Sequence, residues 1–179
     1  PQRPPYGAVF TVYHPLGWDE MFPTINDCSV PGAPDETLPD HGEVWALPWE
    51  VVGSSEHALT LRVQGQQASY PYTLTRQARI DGSCLRLSYM LENHADRSLP
   101  FLWAAHPLFN GHADIRIDLP TAVGTVVNVI ENDPVLGVVD REITWPTATT
   151  TSAETKALDR MGDASLNACR KFYTPPQLP

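Results

Sequence analysis

Basic residues and long apolar runs are both scarce in this sequence of 179 residues. Against 21 Asp and Glu residues stand only 12 Lys and Arg residues, which gives a formal net charge of -9 and a pI near 5.0. This balance argues against a nucleic acid or an anionic membrane as partner, because both attract a basic surface. No apolar run approaches twenty residues, so no membrane-spanning helix is predicted. No charged-then-apolar leader is visible, although the chain begins at Pro1 and a removed leader stays open.

Cysteine is also rare, and neither cysteine nor histidine shows the spacing of a metal site. Cys28, Cys84 and Cys169 are odd in number and far apart in the sequence. We expect buried free thiols, which favours a reducing compartment and a cytoplasmic protein, with one disulfide as the alternative. No His-x-His or His-Glu-x-x-His arrangement occurs, so neither a metal nor a cofactor is predicted. Four histidines are expected on the surface or in turns: His14, His57, His94 and His112.

Alternation of apolar and polar residues with a period of two predicts an all-β fold. It is clearest in residues 85–92 and recurs in residues 72–80, with the turn Asp81-Gly82 between them. These two runs predict an antiparallel hairpin. Further strands are predicted over residues 114–119 and 126–130.

Little else in the chain departs from this β pattern. Residues 153–161 mix charged and apolar side chains and predict at most one or two helical turns before Gly162. The run of Thr, Ser and Ala at 147–155 predicts an exposed loop or a linker. With 42% apolar residues and no internal repeat, residues 1–179 predict a single domain with two stacked antiparallel sheets, a β-sandwich or a jelly roll.

Two histidines stand out because each occupies a stiff, aromatic setting. His106 ends the apolar run 101–105 and precedes a proline, which predicts a rigid position at a strand exit. His41 follows Pro39-Asp40 and precedes Gly42, at a predicted loop-to-strand junction. Imidazole titrates near neutral pH and so exchanges protons readily. The pair predicts one functional site, although each histidine alone is more typical of a packed structural residue.

Five segments resemble the galactose mutarotase-like family, which contains the aldose 1-epimerases and hexose-phosphate epimerases. They follow one another in the family's order and span roughly residues 6–130: 17–25, 39–45, 70–72, 91–93 and 103–109. The resemblance implies a large antiparallel β-sandwich of the supersandwich type with a sugar cleft on its concave face. It also implies a reaction on a small-molecule sugar that needs no cofactor.

The resemblance assigns roles to the two histidines. It implies that His106 is the general acid that protonates the ring oxygen of the sugar and that His41 holds the substrate near its anomeric carbon. The family's base is a glutamate in the C-terminal third, and the sequence ends at Pro179 before a matching segment, so we expect this base to lie outside it. An incomplete sandwich is the corresponding expectation for the fold. Three glutamates are candidates for a substitute base: Glu43, Glu50 and Glu92.

The sugar contacts are expected to differ from those of the family. Asp19 and Glu20 stand where many members have an arginine, and they predict a neutral sugar rather than a phosphosugar, because carboxylates accept bonds from hydroxyls and repel phosphate. Trp45 and Phe109 are predicted to contact the sugar, since pyranose faces pack on flat rings. Trp103 is expected in the core. At Leu108, aldose epimerases often have an aromatic residue, so galactose is not specifically predicted.

Three functions stay open on the sequence. The leading prediction is an aldose 1-epimerase, with ring opening by general acid and base catalysis. The second is a non-catalytic carbohydrate-binding or sugar-sensing protein on the same fold, which the missing base favours. The third is a metal-dependent, cupin-like enzyme that uses His41 and His106. Asp40 could orient His41, but neighbouring residues on a strand point to opposite faces, which argues against that contact.

Overall fold

The computed structural model describes residues 4–13, 17–112, 115–133, 135–162, 165 and 170–175. The chain divides into two compact units, Pro1–Phe109 and Asn110–Pro179. The described part of the first contains the 3-10 turn Phe10–Val12 and the strands β1 Trp18–Met21, β2 Cys28–Val30, β3 Ala33–Leu38, β4 Glu50–Ser54, β5 Ala58–Gln64, β6 Tyr72–Asp81, β7 Cys84–Asn93 and β8 Ala104–Pro107. The second contains β9 Thr125–Asn128, β10 Glu142–Thr144, β11 Thr147–Thr149, β12 Thr155–Ala157 and β13 Phe172–Tyr173.

A four-stranded antiparallel sheet in the order β4-β5-β6-β7 is the largest element of the first unit. Its longest hairpin joins β6 to β7, with Asp81 opposite Cys84 and Gly82 at φ 60° in the turn. This confirms the hairpin that alternation over 72–80 and 85–92 predicted. All named strand pairs run antiparallel. The prediction of an all-β fold built from antiparallel sheets is therefore confirmed.

The core of the first unit lies against the inner face of this sheet. Its buried members are Phe22, Val30, Leu38, Val44, Leu47, Val63, Tyr70, Tyr72 and Leu74. They come from β2, β3, β5, β6 and the segments around Phe22 and Val44, so burying them joins the sheet to the connecting chain. The core therefore supports both segments from which the site is built, the one around Phe22 and the turn before Val44.

Two sequence predictions in the second unit are corrected. Residues 153–161 form no helix, because Thr155–Ala157 is a strand that pairs with β11. Residues 147–155 accordingly form the first strand and turn of a hairpin and not a loop or linker. Five threonines between 147 and 155 account for both results, since branching at Cβ favours extended backbone over helix.

The strand predicted at 114–119 is also wrong. Within that range Arg116 makes an isolated bridge to Arg160, and residues 115–119 belong to no named strand. The Arg116 guanidinium donates instead to the carboxylate of Asp159 at 2.6 Å. The strand predicted at 126–130 is confirmed in part as β9, which ends at Asn128. Val126 of β9 contributes to a small core with Val123, Leu136 and Ile143.

Exposure corrects two further predictions. Cys28 and Cys84 are free but exposed, not buried, while Cys169 lies outside the described residues. Trp103 is 41% exposed, with its ring centroid 5.1 Å from that of Tyr89, so it is not a core residue. The predicted surface positions of three histidines, His57, His94 and His112, are confirmed, and His14 lies outside the described residues.

The described part of the chain contains no helix of the length and apolar character that would cross a bilayer.

Candidate functional site

The two-stranded ribbon of β1 and β8 positions His106. In its register Asp19 lies opposite His106 and Glu20 lies opposite Ala105. The Leu108 amide donates to the Gly17 carbonyl at 2.7 Å and continues the pairing past Pro107. Because successive strand residues point to opposite faces, Asp19 and His106 share one face of the ribbon and Glu20 lies on the other. The predicted place of His106 at the end of a strand is confirmed.

His41 lies in a tight turn directly after β3. Its φ is 62° and that of Gly42 is 69°, and the His41 amide donates to the Ile25 carbonyl at 2.9 Å. The predicted loop-to-strand junction is wrong here, because residues 43–47 continue as turns and β4 begins only at Glu50. The left-handed backbone removes the strand alternation that argued against a contact with Asp40. Asp40 Oδ2 lies 2.7 Å from His41 Nδ1, so this carboxylate does orient the imidazole.

The two histidines come together although 65 positions separate them in the sequence. Their ring centroids are 5.9 Å apart, with the ring planes at 72°. Phe10 packs against both: it stacks on His41 at 4.2 Å and meets His106 edge-on at 5.2 Å. The ring of Trp45 lies 5.0 Å from Phe10. The first unit therefore holds two imidazoles within a cluster of aromatic rings.

Phe10 is a member of this site that the sequence did not reveal. It is 7% exposed and begins the 3-10 turn that precedes β1. The Tyr13 amide donates to its carbonyl at 3.2 Å and closes that turn. Its local sequence offers an apolar aromatic residue in a proline-rich segment, a pattern equally typical of any core phenylalanine. Only the folded geometry identifies it.

Asp19 and His106 each carry a buried polar atom without a hydrogen-bond partner among the described residues. These atoms are Oδ2 of Asp19 and Nδ1 of His106. Burial raises the pKa of Asp19 above its ordinary value, and the adjacent His106 opposes that rise. Buried polar atoms are nearly always bonded in folded proteins, but Glu43 Oε2, the Tyr72 hydroxyl and Arg76 Nε are unbonded in the same way. It is the cross-strand position of Asp19 and His106 that makes their unbonded pair a candidate functional position.

Glu20 occupies a different environment from Asp19. It is 3% exposed, and its carboxylate accepts bonds from Arg76 at 2.6 and 2.7 Å, Tyr89 at 2.8 Å and Trp18 at 3.0 Å. The Arg76 guanidinium also lies 4.7 Å from the centre of the Trp49 ring. Glu20 therefore links the ribbon to β6 and β7. The sugar contact predicted for Glu20 would have to compete with these four bonds.

The two aromatic residues predicted to contact a sugar are placed differently. Trp45 is partly buried beside Phe10, and its Nε1 donates to the Gly42 carbonyl at 3.1 Å. Phe109 is 82% exposed, and within the described residues no ring contact joins it to either histidine. Trp45 is thus part of the cluster, whereas a role for Phe109 would depend on the bound sugar reaching it.

None of the three candidate glutamates for a substitute base lies in this cluster. Glu50 is exposed and pairs with Arg62 at 3.0 Å, and Glu92 is exposed on β7. Glu43 is fully buried, and its Oε1 accepts from the Gln66 amide at 3.3 Å. Its surroundings are the aromatic core beside Tyr72, where Oε1 would also meet any side chain placed at Gly65. Glu43 is therefore a buried acid of the core.

Glu43 gives a prediction about stability and pH. Burial raises the pKa of its carboxyl, and the nearby Tyr72 and Tyr6 hydroxyls and the Gln66 amide only partly oppose the rise. The folded state then binds the Glu43 proton more tightly than the unfolded state does, so stability falls as pH rises from the ordinary pKa of glutamate through the raised one. We expect Glu43→Gln to make this fall shallower, as measured by unfolding temperature between pH 4 and 8.

The exposed Glu50 supplies the control for that prediction. Glu50→Gln removes an equal charge at a solvated position beside Arg62, where a surface pair contributes little. We expect Glu50→Gln to keep the wild-type slope. Parallel stability curves for Glu43→Gln and wild type would contradict the account of Glu43.

The described residues contain no group of three or more His, Cys, Asp and Glu side chains that could hold a metal ion. The two imidazoles and the neighbouring carboxylates of Asp19 and Asp40 can transfer protons and form hydrogen bonds.

Comparison with known families matches residues 26–161 to the aldose 1-epimerase family model. The match covers about three quarters of the chain and includes His41, Trp45 and His106, whereas Phe10 and Asp19 precede it. No curated protein and no solved structure matches the chain.

Proposed function

Because this chain belongs to the aldose 1-epimerase family, we propose that it interconverts the anomers of a sugar at the site formed by His41 and His106. The proposal rests on one observation: the ring centroids of these two imidazoles lie 5.9 Å apart within an aromatic cluster. Anomer exchange requires only proton transfers to and from oxygen, and imidazole is suited to these near neutral pH. Neither a metal nor a cofactor is needed for that chemistry.

His106 is the proposed general acid. Its proton passes to the ring oxygen of the sugar as the bond between that oxygen and the anomeric carbon breaks, while a base removes the proton of the anomeric hydroxyl. The open aldehyde rotates about its first carbon-carbon bond and closes on the other face, and both protons return. The base is not assigned to Glu43, Glu50 or Glu92, because none of them lies in the cluster.

His41 is the proposed sugar-holding residue. Asp40 accepts a bond at 2.7 Å from Nδ1 and so favours the tautomer in which Nε2 is free to accept from a sugar hydroxyl. Asp19 is still proposed to contact hydroxyls of the sugar, and Trp45 is still proposed to pack on the face of the sugar ring. A substrate without phosphate is favoured, since Asp19 and Asp40 lie beside both histidines and would repel an anion.

A non-catalytic sugar-binding protein is the second candidate. The placement of all three candidate glutamates outside the cluster favours it, because binding needs the aromatic rings and hydrogen-bonding groups but no base. A cytoplasmic location remains a further proposal. Exposed free thiols at Cys28 and Cys84 support it, since such thiols persist in reducing compartments.

Anomer exchange of glucose and galactose tests the proposal. The purified chain is added to each sugar, and magnetisation transfer between the two anomeric proton signals is measured by NMR. We expect exchange faster than in buffer alone, because acid catalysis by His106 acts with water as the acceptor of the hydroxyl proton. Sugar-dependent shifts in the signals of His41 without faster exchange would identify the binding protein instead. The absence of both effects would contradict both functions.

A further inference from the structure

We propose that Asp19 is a positioning residue for His106, whose Nδ1 proton it accepts so that Nε2 faces the substrate. The inference rests on the acid role proposed above for His106. Asp19 was predicted from the sequence only as a contact to sugar hydroxyls. Its place in the fold supports a more specific role.

The first argument is strand register. Asp19 and His106 are directly opposite each other on neighbouring antiparallel strands, β1 and β8. Opposed residues project from the same face with Cβ atoms about 4.5–5.5 Å apart, within reach of a carboxylate and an imidazole. The register also fixes the choice of acid, because Glu20 projects from the opposite face towards Arg76 and Tyr89.

The second argument is the complementarity of two buried atoms. Oδ2 of Asp19 accepts hydrogen bonds, Nδ1 of His106 donates one when protonated, and neither has a partner among the described residues. Catalytic hydrogen bonds are often long without ligand and shorten in the complex with substrate. Asp19 Oδ2 and His106 Nδ1 are complementary and unpartnered, and they belong to residues that face each other across two strands. This is what a hydrogen bond that forms only with bound substrate would look like in the free protein.

The third argument is electrostatic. Four groups act on the Asp19 carboxyl besides burial: His106, Glu20, Arg76 and His41. Burial raises its pKa, and among these groups His106 has the largest influence and lowers the pKa. Asp19 is therefore coupled more strongly to His106 than to Arg76 or His41.

His41 already makes the kind of hydrogen bond to an aspartate that is proposed for His106. His41 Nδ1 lies 2.7 Å from Asp40 Oδ2, at a more exposed position. Each imidazole of the site thus has one aspartate as a neighbour, from the same turn for His41 and from the facing strand for His106. In both, Nε2 is the nitrogen left for the sugar.

The pairing explains how His106 returns to its starting state. After the Nε2 proton has passed to the ring oxygen, the neutral imidazole keeps its other proton on Nδ1, where Asp19 accepts it. Nε2 is then bare and ready to take the proton back when the ring closes. Without Asp19 the neutral ring could place its proton on Nε2 and could not act as that acceptor.

Histidine ring nitrogen NMR on the unliganded full chain tests the pairing. Signals of His106 are assigned by their loss in His106→Gln. We expect the neutral His106 ring of the wild type to carry its proton on Nδ1, and that of Asp19→Ala to carry it on Nε2. The control Asp40→Ala should change the ring signals of His41 and leave the tautomer of His106 as it is. A wild-type His106 with its proton on Nε2 would overturn the proposal.

Titration of the Asp19 carboxyl by carbon NMR is independent of how well Asp19→Ala folds. We expect His106→Gln to raise the pKa of Asp19 further, and His41→Gln to raise it less, because His106 opposes the effect of burial more strongly. Equal effects of the two substitutions, or none, would overturn the proposal. Neither measurement uses a sugar, so both give a result whether or not the chain catalyses anomer exchange.

Discussion

Replacing His106 with asparagine is expected to lower catalysed anomer exchange by about 10²–10⁴-fold, the usual contribution of a positioned general acid. Asparagine can still hydrogen-bond to the ring oxygen of a sugar but has no proton to release to it. His106 lies on β8 opposite Asp19 and is partly buried, so the exchange of one polar side chain for another preserves the ribbon. The measurement is the exchange rate at saturating glucose and galactose, by magnetisation transfer between anomeric protons.

The control for this prediction is His57→Asn. The side chain of His57 is 67% exposed in the turn between β4 and β5, so the same chemical change there should leave the rate unaltered. Circular dichroism of both variants checks that the strands are retained. If His106→Asn folds and exchanges anomers at the wild-type rate, His106 is not the acid.

The sheet and one of the two histidine positions could be predicted from the sequence. Alternation over 72–80 and 85–92 and the turn at Gly82 specify β6 and β7 because apolar residues of a half-buried strand must repeat with a period of two. The proline after His106 likewise predicts the end of a strand, and β8 ends at Pro107. These signals are local, and local patterning was sufficient to find them.

The remaining site depends on geometry that local patterns do not contain. The contact between Asp40 and His41 was argued against because strand residues alternate, but His41 has φ 62° in a turn, where that rule does not apply. Phe10 reaches the histidines only through the chain's path before β1. Predicting either contact requires tertiary information.

Three acidic residues show how strongly position determines the role of a carboxylate. Glu20 is compensated by Arg76 and Tyr89 on one face of the ribbon. Glu43 makes no ion pair within the described residues, and burial raises its pKa. Asp19, one residue before Glu20, faces His106 on the other side of the ribbon. The sequence placed Asp19 and Glu20 together as sugar contacts, and the alternation of the strand is what separates them.

Gly42→Ala is expected to cause the largest loss of stability of the substitutions considered, about 2–5 kcal/mol of unfolding free energy. Gly42 has φ 69°, and a Cβ there would overlap the backbone of Phe22, which bridges to Gly42 and is fixed in the core. Because the Phe22 backbone cannot move aside as a flexible side chain can, conformational strain at residue 42 and steric overlap with Phe22 both destabilise the variant. Because His41 precedes Gly42 in the same turn, its ring signals should shift too. Urea unfolding at pH 7 gives the measurement.

The control is Gly82→Ala, in the turn between β6 and β7. Gly82 has φ 60°, but a Cβ there would meet nothing within 4 Å, so only the left-handed backbone acts and the expected loss is about 1–2 kcal/mol. The difference between the two variants isolates the overlap with Phe22 from the conformational strain. Equal losses would show that the segment around Phe22 yields to the added methyl group. The core would then not be what holds His41 in the turn beside Phe10 and His106.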